Sequence, residues 1–302
     1  MMTVEQAEIR LADGPRLHVR TAGPPGAPIT VVLLHGWVLD GRTWYRQVRP
    51  LAKMARVVTY DARGHGRSSG IDRSTATLDQ LGDDLAEVLR VVVPTGPVVL
   101  AGHSLGGMTI MEYAHRHPAD FAARVAGLFF LSTTAEGHTH TVYGLPPRLA
   151  HLVRMAEMTS AHVLARLGGW RPHRALTVAL RPSLRWLLFG HPCDPADVQL
   201  TTKAVVRASL GSIGGFRPSV GAQARLETLA TLPTVPTAVL VGERDRLTPP
   251  ACARSIVKAL PGAALTVCPG AGHMLMLERP DVVTEALLDV VRAATIDAGG
   301  HD

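Results

Sequence analysis

The sequence predicts an α/β fold whose central sheet is mostly parallel, with helices on both faces and a helical unit inserted into it. Three observations support this prediction. Short apolar runs alternate with helical stretches before residue 135, the same pattern returns after residue 235, and between them helical periodicity continues without valine-rich strands. With 302 residues, of which 46% are hydrophobic, the chain is long and apolar enough to bury a substantial core.

The predicted core strands are rich in Val, Leu and Ile and lack polar alternation, as expected for strands covered on both faces. Upstream of them, two short runs flank Asp13-Gly14, which predicts an antiparallel hairpin at one edge of the sheet. Helices are predicted at 249–260 and 281–292, with a frayed end at 296–302. The hairpin runs are 8–11 and 16–19, and the predicted buried strands are 29–34, 55–60, 97–101, 126–131, 237–241 and 263–267.

Residues 135–232, called the insert below, have a different character. Apolar residues recur at helical spacing between 149 and 156, and repeated prolines divide the stretch into short helices. The insert holds eleven Lys or Arg against five Asp or Glu, a surplus equal to the net charge of +6 of the whole chain. We therefore predict an α/β core formed by 1–134 and 233–302, interrupted by the helical insert.

Composition argues against several classes of protein. Aromatic residues make up only 4% of the chain, too few for the stacking platforms of many nucleic-acid readers, so no nucleic-acid partner is expected. Cys193, Cys252 and Cys268 lack the spacing of a disulfide framework or a zinc site. No stretch approaches eighteen uninterrupted apolar residues, and no basic run followed by an apolar stretch opens the chain. We expect a cytoplasmic protein without an integral membrane segment.

The sequence predicts neither a bound metal nor a cofactor. His138 and His140 lie two positions apart without further ligands near them in the sequence, which favours a solvated pair over a metal site. Gly64-His65-Gly66 is followed by Ser69 where a dinucleotide-binding fingerprint would have its third glycine. The chemistry is therefore expected to come from the protein's own side chains.

The strongest chemical signal is Gly102-His103-Ser104-Leu105-Gly106, which follows an apolar strand run and precedes a helical stretch. A serine on such a tight turn needs glycine two positions away on each side, because a side chain there would collide with neighbouring backbone. The Ser104 hydroxyl would then project above the sheet at a helix N-terminus, where the helix dipole favours negative charge. We predict Ser104 to be a nucleophile.

A serine hydroxyl needs a base to remove its proton and an acid to orient that base. Among fourteen histidines, His273 is favoured because it lies on the loop directly after the last predicted strand. Asp245, just past the strand at 237–241, is the favoured acid, since a residue deeper in the loop reaches a neighbouring strand end more easily than its rival Glu243 does. A surface carboxylate paired with a neighbouring arginine is the alternative interpretation of Asp245.

The order of these motifs resembles the α/β-hydrolase superfamily over nearly the whole chain. The motifs that carry the resemblance are the His35-Gly36-Trp37 turn, the run Asp-Ala-Arg-Gly-His-Gly-Arg-Ser at 61–68, the Ser104 turn, Asp245 and the segment 272–280. The resemblance implies the α/β-hydrolase fold, catalysis by a nucleophilic serine and an insert that forms a helical cap over the active site. Dehalogenases and most epoxide hydrolases carry aspartate at the turn and do not match Ser104.

Acyl transfer builds an oxyanion that preorganised N–H groups must stabilise. The turn geometry predicts the Leu105 N–H as one donor, and the resemblance implies the Trp37 N–H as the other. The His-Gly-Trp turn departs from the His-Gly-Gly-Gly form of many lipases and esterases. It is similar to a branch that contains small esterases, C–C bond hydrolases and cofactor-free haloperoxidases or perhydrolases.

Together these inferences predict a serine hydrolase that cleaves a carboxylic ester, thioester or lactone through an acyl-enzyme on Ser104, with Asp245 and His273 completing the triad. Perhydrolysis, acyl transfer or C–C bond hydrolysis with the same residues is an alternative, and a catalytically inactive binding protein is another. The complete triad argues against the last. The sequence leaves the oligomeric state open.

The insert contains more large apolar residues than its short helices need to bury against one another, which predicts an apolar acyl pocket. The expected lining is His35 from the turn with Trp170, Trp186 and Phe216 from the insert. We expect a small-molecule substrate with an apolar acyl part. The dispersed arginines of the insert favour solvated helix faces and leave an anionic substrate open.

Overall fold

The computed structural model describes residues 4–141, 143–168, 170 and 176–299. Within these ranges the strands are Val4–Arg10 (β1), Arg16–Ala22 (β2), Thr30–Leu34 (β3), Arg56–Tyr60 (β4), Val98–His103 (β5), Val125–Leu131 (β6), Thr237–Gly242 (β7) and Ala264–Cys268 (β8). They form one sheet in the order β1-β2-β4-β3-β5-β6-β7-β8. The pairings of β1 with β2 and of β2 with β4 are antiparallel, and the others are parallel. The predicted α/β class is confirmed.

Helices cover both faces of this sheet. The α-helices of the described ranges are Tyr45–Leu51 (α1), Leu78–Val92 (α2), Leu105–Arg116 (α3), Pro118–Arg124 (α4), Pro147–Arg166 (α5), Leu176–Leu188 (α6), Pro195–Arg207 (α7), Leu210–Gly215 (α8), Arg217–Ala222 (α9), Leu226–Ala230 (α10), Pro250–Ala259 (α11), Leu275–Glu278 (α12) and Pro280–Gly299 (α13). Short 3-10 helices span Gly41–Trp44 and Arg73–Thr75.

The central strands are apolar along their whole length because each face has its own core. Along β3, Val32 and Leu34 join a cluster with residues of α2, α3 and α11, whereas Val31 and Leu33 join a second cluster with residues of α1 and α13. Successive side chains of a strand point to opposite faces, so a strand between two helical layers needs apolar residues at every position. This explains the unbroken Val and Leu runs of the sequence.

The predicted hairpin at the sheet edge is present as β1 and β2. The turn is closed by a hydrogen bond from Leu11 N to Pro15 O (2.8 Å), and Gly14 has a φ of 108°, which a side chain would disfavour. The antiparallel pair extends the sheet beyond β4.

Two predictions for the C-terminal part of the chain are wrong. The run at 263–267 was expected to be a buried strand, but β8 is an edge strand, and Leu265 and Val267 are 38% and 37% exposed. Fraying was expected from 296, but α13 continues to Gly299 because its sequence contains no helix breaker before that glycine. Residues 300–302 of that prediction lie outside the described ranges.

Between β6 and β7 the described residues contain α5 to α10 and no strand. The periodicity at 149–156 does form a helix, α5, but its apolar residues do not form the buried face. Leu149 and Leu152 are 50% and 62% exposed, whereas small residues such as Ala161 and Ala165 are buried where α5 packs against α8. No helix in the described ranges combines the length and the apolar character that crossing a membrane requires.

Candidate active site

Ser104 sits at a strained turn between β5 and α3. Its φ of 51° and ψ of −115° are unusual for a residue with a side chain. A Cβ added to Gly102 would overlap the Gly107 amide nitrogen, and one added to Gly106 would lie 2.5 Å from the Leu34 carbonyl oxygen. Glycine at both positions therefore lets the turn close, and strain of this kind persists only where the surroundings hold it.

The backbone around Ser104 is tied to the next strand. Ser104 N donates to Leu131 O (2.9 Å), and the Thr133 hydroxyl donates to Ser104 O (2.7 Å). Leu105 is the first residue of α3, so its N–H is one of the helix-terminal amides that has no partner within the helix.

The His35-Gly36-Trp37 turn lies at the end of β3, beside the serine turn. Leu39 N donates to Gly36 O (3.1 Å), and Val38 has a φ of 56°, a marked strain for a β-branched residue. His35 holds the turn from below, since its Nδ1 donates to Gly36 O (2.7 Å) and its Nε2 accepts from Ala62 N (2.9 Å). These contacts fix the orientation of the Gly36–Trp37 peptide and therefore the direction of the Trp37 backbone N–H.

Asp245 and His273 meet at the ends of β7 and β8. His273 Nδ1 lies 2.9 Å from Asp245 Oδ2, and both side chains are almost fully buried. Asp245 Oδ1 accepts from the amides of Leu247 and Thr248 at 2.9 Å each. Burial by itself would raise the pKa of Asp245, but His273 and the hydrogen bonds from Thr248 lower it below its usual value of 3.8. An ionised Asp245 holds the proton of His273 on Nδ1 and leaves Nε2 as an acceptor.

A cavity of about 170 Å³ opens above these strand ends, and Ser104 and His273 both line it. That is roughly ten times the space that one buried water needs, so the cavity has room for a small organic group. Most of its wall is apolar, and one part, formed by polar residues of the insert and called the polar end below, is polar. The apolar wall includes Trp37, Met108, Leu184, Leu187, Leu188, Val205, Val220, Leu247 and Met274, and the polar end includes His138, Tyr143, Glu157 and Arg217.

The sequence model of the alpha/beta hydrolase family matches residues 31–286, from β3 into α13. This chain belongs to the alpha/beta hydrolase family. The match covers the serine turn, both loops that carry Asp245 and His273, and the whole insert. The resemblance inferred from the motifs is confirmed, and the chain is a hydrolase.

Individual members of the family resemble the whole chain. A pimeloyl-[acyl-carrier protein] methyl ester esterase of Chromobacterium violaceum is 29% identical over 264 residues, covering 86% of this chain and 92% of that protein. A thermophilic esterase from Thermogutta terrifontis superposes with a TM-score of 0.76 at 24% identity, covering 96% of this chain and 99% of that one. The enol-lactonase from Burkholderia xenovorans LB400 gives a TM-score of 0.75 at 23% identity, covering 95% and 100%. At these identities the two solved structures show the shared fold.

None of the four residues predicted to line the pocket of this hydrolase is part of the cavity wall in the described ranges. Both ring nitrogens of His35 are hydrogen-bonded to backbone, one to Gly36 O and the other to Ala62 N. Phe216 is fully buried, but it packs against His65 with ring centroids 5.6 Å apart. Trp170 is 74% exposed, and Trp186 is 48% exposed beneath the guanidinium of Arg246. The short insert helices turn leucines and valines toward the cavity instead.

The rival acid, Glu243, lies in a different environment from Asp245. Its carboxylate accepts from Gly270 N (2.9 Å) at an exposed position. Glu243 therefore anchors the loop that leads to His273, whereas Asp245 contacts the imidazole itself.

Thr248 belongs to the site, although the sequence analysis did not select it. Its hydroxyl donates to Asp245 Oδ2 (2.9 Å) and lies 3.3 Å from His273 Nδ1. The available signal was Asp245 itself, because an Asp side chain in a loop commonly accepts from the backbone two residues on and so folds the following residues back toward it.

The loop of His273 is held from three sides. His103 Nε2 donates to His273 O (3.0 Å), and burial lowers the pKa of His103 well below its usual value, so the ring is neutral. His273 N donates to Leu188 O (2.8 Å) at the end of α6. The Glu278 carboxylate accepts from Gly272 N and from Gly190 N (2.7 Å), which ties the connection between α6 and α7 of the insert to the histidine loop.

The described residues contain no group of three or more His, Cys, Asp or Glu side chains placed to hold a metal ion. His140 Nε2 contacts Glu136 Oε2 (3.1 Å), while His138 points to the polar end of the cavity. The two histidines therefore do not share a ligand position.

Proposed function

We propose that this hydrolase cleaves a carboxylic ester, thioester or lactone through an acyl-enzyme on Ser104. The observation that carries the proposal is the hydrogen bond between His273 Nδ1 and Asp245 Oδ2 at the wall of a cavity that also contains Ser104. An oriented imidazole beside a serine on a strained turn is the arrangement that activates a hydroxyl. The esterase relative and the enol-lactonase of the same fold support ester or lactone substrates.

In the first half-reaction, Ser104 Oγ attacks the acyl carbon while His273 Nε2 takes the hydroxyl proton. The carbonyl oxygen becomes an oxyanion, to which the N–H groups of Leu105 and Trp37 donate. A donor of this kind contributes about 2.7–4 kcal/mol to the stability of the transition state. The intermediate then collapses, the bond to the leaving oxygen breaks, and His273 gives its proton to the departing alcohol.

In the second half-reaction, water replaces the alcohol. His273 Nε2 takes a proton from the water, whose oxygen attacks the acyl carbon of the ester on Ser104. Collapse of the second intermediate releases the acid and returns the proton to Ser104 Oγ. Asp245 stays ionised throughout and stabilises the imidazolium that forms twice in each cycle.

We further propose that residues 135–232 act as a cap on a core formed by 1–134 and 233–302. Leu184, Leu187 and Val205 of the insert contribute apolar wall to the cavity above Ser104. A longer acyl chain should gain about 0.8 kcal/mol per buried methylene, roughly fourfold in kcat/KM, until the wall is full.

A cytoplasmic location is part of the proposal. Cys193, Cys252 and Cys268 are free thiols, and Cys252 and Cys268 are buried. Thiols persist in a reducing compartment, which the cytoplasm provides.

The deciding experiment is covalent labelling with a fluorophosphonate, followed by peptide mapping. We expect the label on Ser104 and none on Ser104→Ala, with turnover of butyryl esters falling by up to about 10⁶ in that variant. Thermal unfolding of both proteins controls for misfolding. Equal labelling of Ser104→Ala, or equal turnover, would remove Ser104 as the nucleophile and leave a binding protein or a different hydrolase mechanism.

A further inference from the structure

The polar end of the cavity contains a cluster of polar groups that the proposed reaction does not use. Arg217 is 8% exposed and Tyr143 is 4% exposed, and both line the cavity beside His138 and Glu157. The Arg217 guanidinium is ion-paired with Glu157 and lies over the Trp37 ring, 5.0 Å from its centroid. The Tyr143 hydroxyl donates to Glu157 Oε2 (2.6 Å).

Hydrogen-bonding capacity in this cluster is not used up. His138 Nε2 and Arg154 Nε are buried and have no hydrogen-bond partner among the described residues. Burial, together with Arg217 and Arg154, lowers the pKa of His138 to about 4, so its ring is neutral near pH 7. A buried polar atom without a partner is costly, so the hydrogen bonds of this cluster are incomplete.

The cluster also carries surplus positive charge. Arg154 Nη1 lies 3.4 Å from the His138 carbonyl oxygen, and Arg154 and Arg217 both lower the pKa of His138. Two guanidiniums therefore lie near this ring, and Glu157 is ion-paired with Arg217. Burial lowers the pKa of Arg217 from its usual value, but a guanidinium remains charged near neutrality. An anion entering the cavity would compensate this charge in a place that water reaches poorly.

The backbone of the cluster is strained at one residue that lines the cavity. Tyr143 has a φ of 54°, in the left-handed region that residues with side chains rarely adopt. Non-glycine residues in this region concentrate at ligand-binding positions, where the surrounding structure maintains them.

We propose that this cluster binds a carboxylate of the substrate, so that the preferred ester carries a carboxylate separated from the scissile bond by a short apolar spacer. The Arg217 guanidinium receives the carboxylate with its planar set of donors. The inference rests on the proposed function, because Trp37, which carries the proposed oxyanion N–H, is also the residue on which Arg217 stacks. One tryptophan side chain therefore separates the reacting carbonyl from the anion site, which limits the spacer to a few methylenes.

The test compares charged and neutral substrates of the same shape. Monoethyl esters of succinate, glutarate and adipate are assayed beside the matching ester amides, in which the free carboxylate is replaced by a carboxamide. Butyrate esters of 3-hydroxypropanoate and of its amide place the same groups on the alcohol half. We expect kcat/KM to be at least about tenfold higher for the carboxylate on one half of the ester, since charge-assisted hydrogen bonds are the strong ones.

Two variants should change this ratio in opposite directions. Arg217→Gln should bring the carboxylate-to-amide ratio close to one, and Arg217→Lys should restore part of it. Glu157→Gln should raise the ratio, because it removes the carboxylate that competes for Arg217. Arg246→Gln is the matched control, since Arg246 also stacks on a tryptophan, at 4.7 Å from the Trp186 ring, but lies outside the cavity. Its ratio should equal that of the wild type.

The ratio cancels any effect of these changes on Trp37 or on folding, because both substrates meet the same protein. A wild-type ratio near one would overturn the carboxylate site and leave the esterase proposal intact as long as the ethyl esters are cleaved. If Glu157→Gln and Arg217→Gln lower kcat/KM equally for the carboxylate and the amide substrate, the ion pair only holds the insert in place, and the proposal is wrong. Failure of every ester, with no labelling of Ser104, would instead reject the proposed function.

Discussion

The strand ends below the cavity and the insert above it are packed very differently. At the strand ends the proposed catalytic side chains are buried, since Asp245 and His273 are 4% and 3% exposed. In the insert, large apolar side chains face solvent, with Leu152 62% and Val163 58% exposed. The two regions meet at the cavity and at the hydrogen bonds of Glu278.

In this fold, the reaction and the substrate preference are expected to depend on different regions. Groups that transfer protons must keep their geometry, and close packing on a sheet provides that rigidity. The insert contacts the substrate with side chains of short helices, which can be exchanged with little effect on the sheet below. We therefore expect substitutions on the sheet side to change turnover and stability, and substitutions in the insert to change substrate preference.

The largest expected effect is that of Asp245→Asn. The variant should lower kcat by about 10⁴, because an amide no longer holds the His273 proton on Nδ1. Glu243→Gln, two residues away, is the control and should keep most of the activity, since Glu243 only accepts from Gly270 N. Steady-state rates on a butyryl ester decide the matter. Near-normal turnover of Asp245→Asn with loss in Glu243→Gln would exchange the two roles.

The two regions should also differ in how much a leucine-to-alanine substitution lowers the free energy of unfolding. Leu100→Ala, at a fully buried position of β5, should cost about 2–5 kcal/mol in the free energy of unfolding. Leu152→Ala, on the exposed face of α5, should change it by no more than about 0.5 kcal/mol. Urea denaturation of both variants measures the difference. A large cost for Leu152→Ala would mean that this face of the insert is covered in solution.

A smaller effect is expected for the hydroxyl beside the acid. Thr248→Val keeps the side-chain shape but removes the donor to Asp245 Oδ2, and kcat should fall about tenfold. Thr141→Val is the counterpart on the insert side of the cavity, where the Thr141 hydroxyl donates to Leu247 O (2.8 Å). It should affect KM more than kcat. Equal losses of kcat in both variants would contradict a specific role of Thr248 at Asp245.

The smallest effect concerns the pH dependence of stability. Burial lowers the pKa of His65, in the core, from 6.5 to about 3, and that of His138, in the insert, to about 4. The folded protein then binds fewer protons than the unfolded chain, so the free energy of unfolding falls as the pH drops below about 6.5. Each of His65→Gln and His138→Gln should therefore flatten the dependence of Tm on pH, and by similar amounts in this range, because both folded-state pKa values lie below it. Thermal unfolding between about pH 7 and about pH 5 tests this, and parallel curves for both variants and the wild type would contradict it.

Most of the sheet could be predicted from local sequence. The Val and Leu runs of the central strands report burial on both faces, and glycines at 102 and 106 report the space around the Ser104 turn. The edge position of β8 could not be predicted in the same way. Its residues 263–267 are as apolar as those of a central strand, and only the order of the strands leaves one side without a neighbour.

The candidate site shows the same division. Ser104, Asp245 and His273 each follow a predicted strand in the sequence. This placed them at one edge of the sheet, because parallel strands end together. The residues that line the cavity could not be predicted from the sequence, since they depend on how elements far apart in the chain pack together. Phe216 packs against His65, and Leu187 reaches the cavity instead of its neighbour Trp186.

The α/β class, the serine turn and the helical character of the insert could be inferred from the sequence, because periodicity and turn chemistry are properties of neighbouring residues. The folded structure was needed to show that Asp245 contacts His273, that Thr248 lies beside both, and that Arg217 and His138 line the polar end of the cavity. These are contacts between residues far apart in the chain, and their geometry follows from the packing of whole helices and strands against one another.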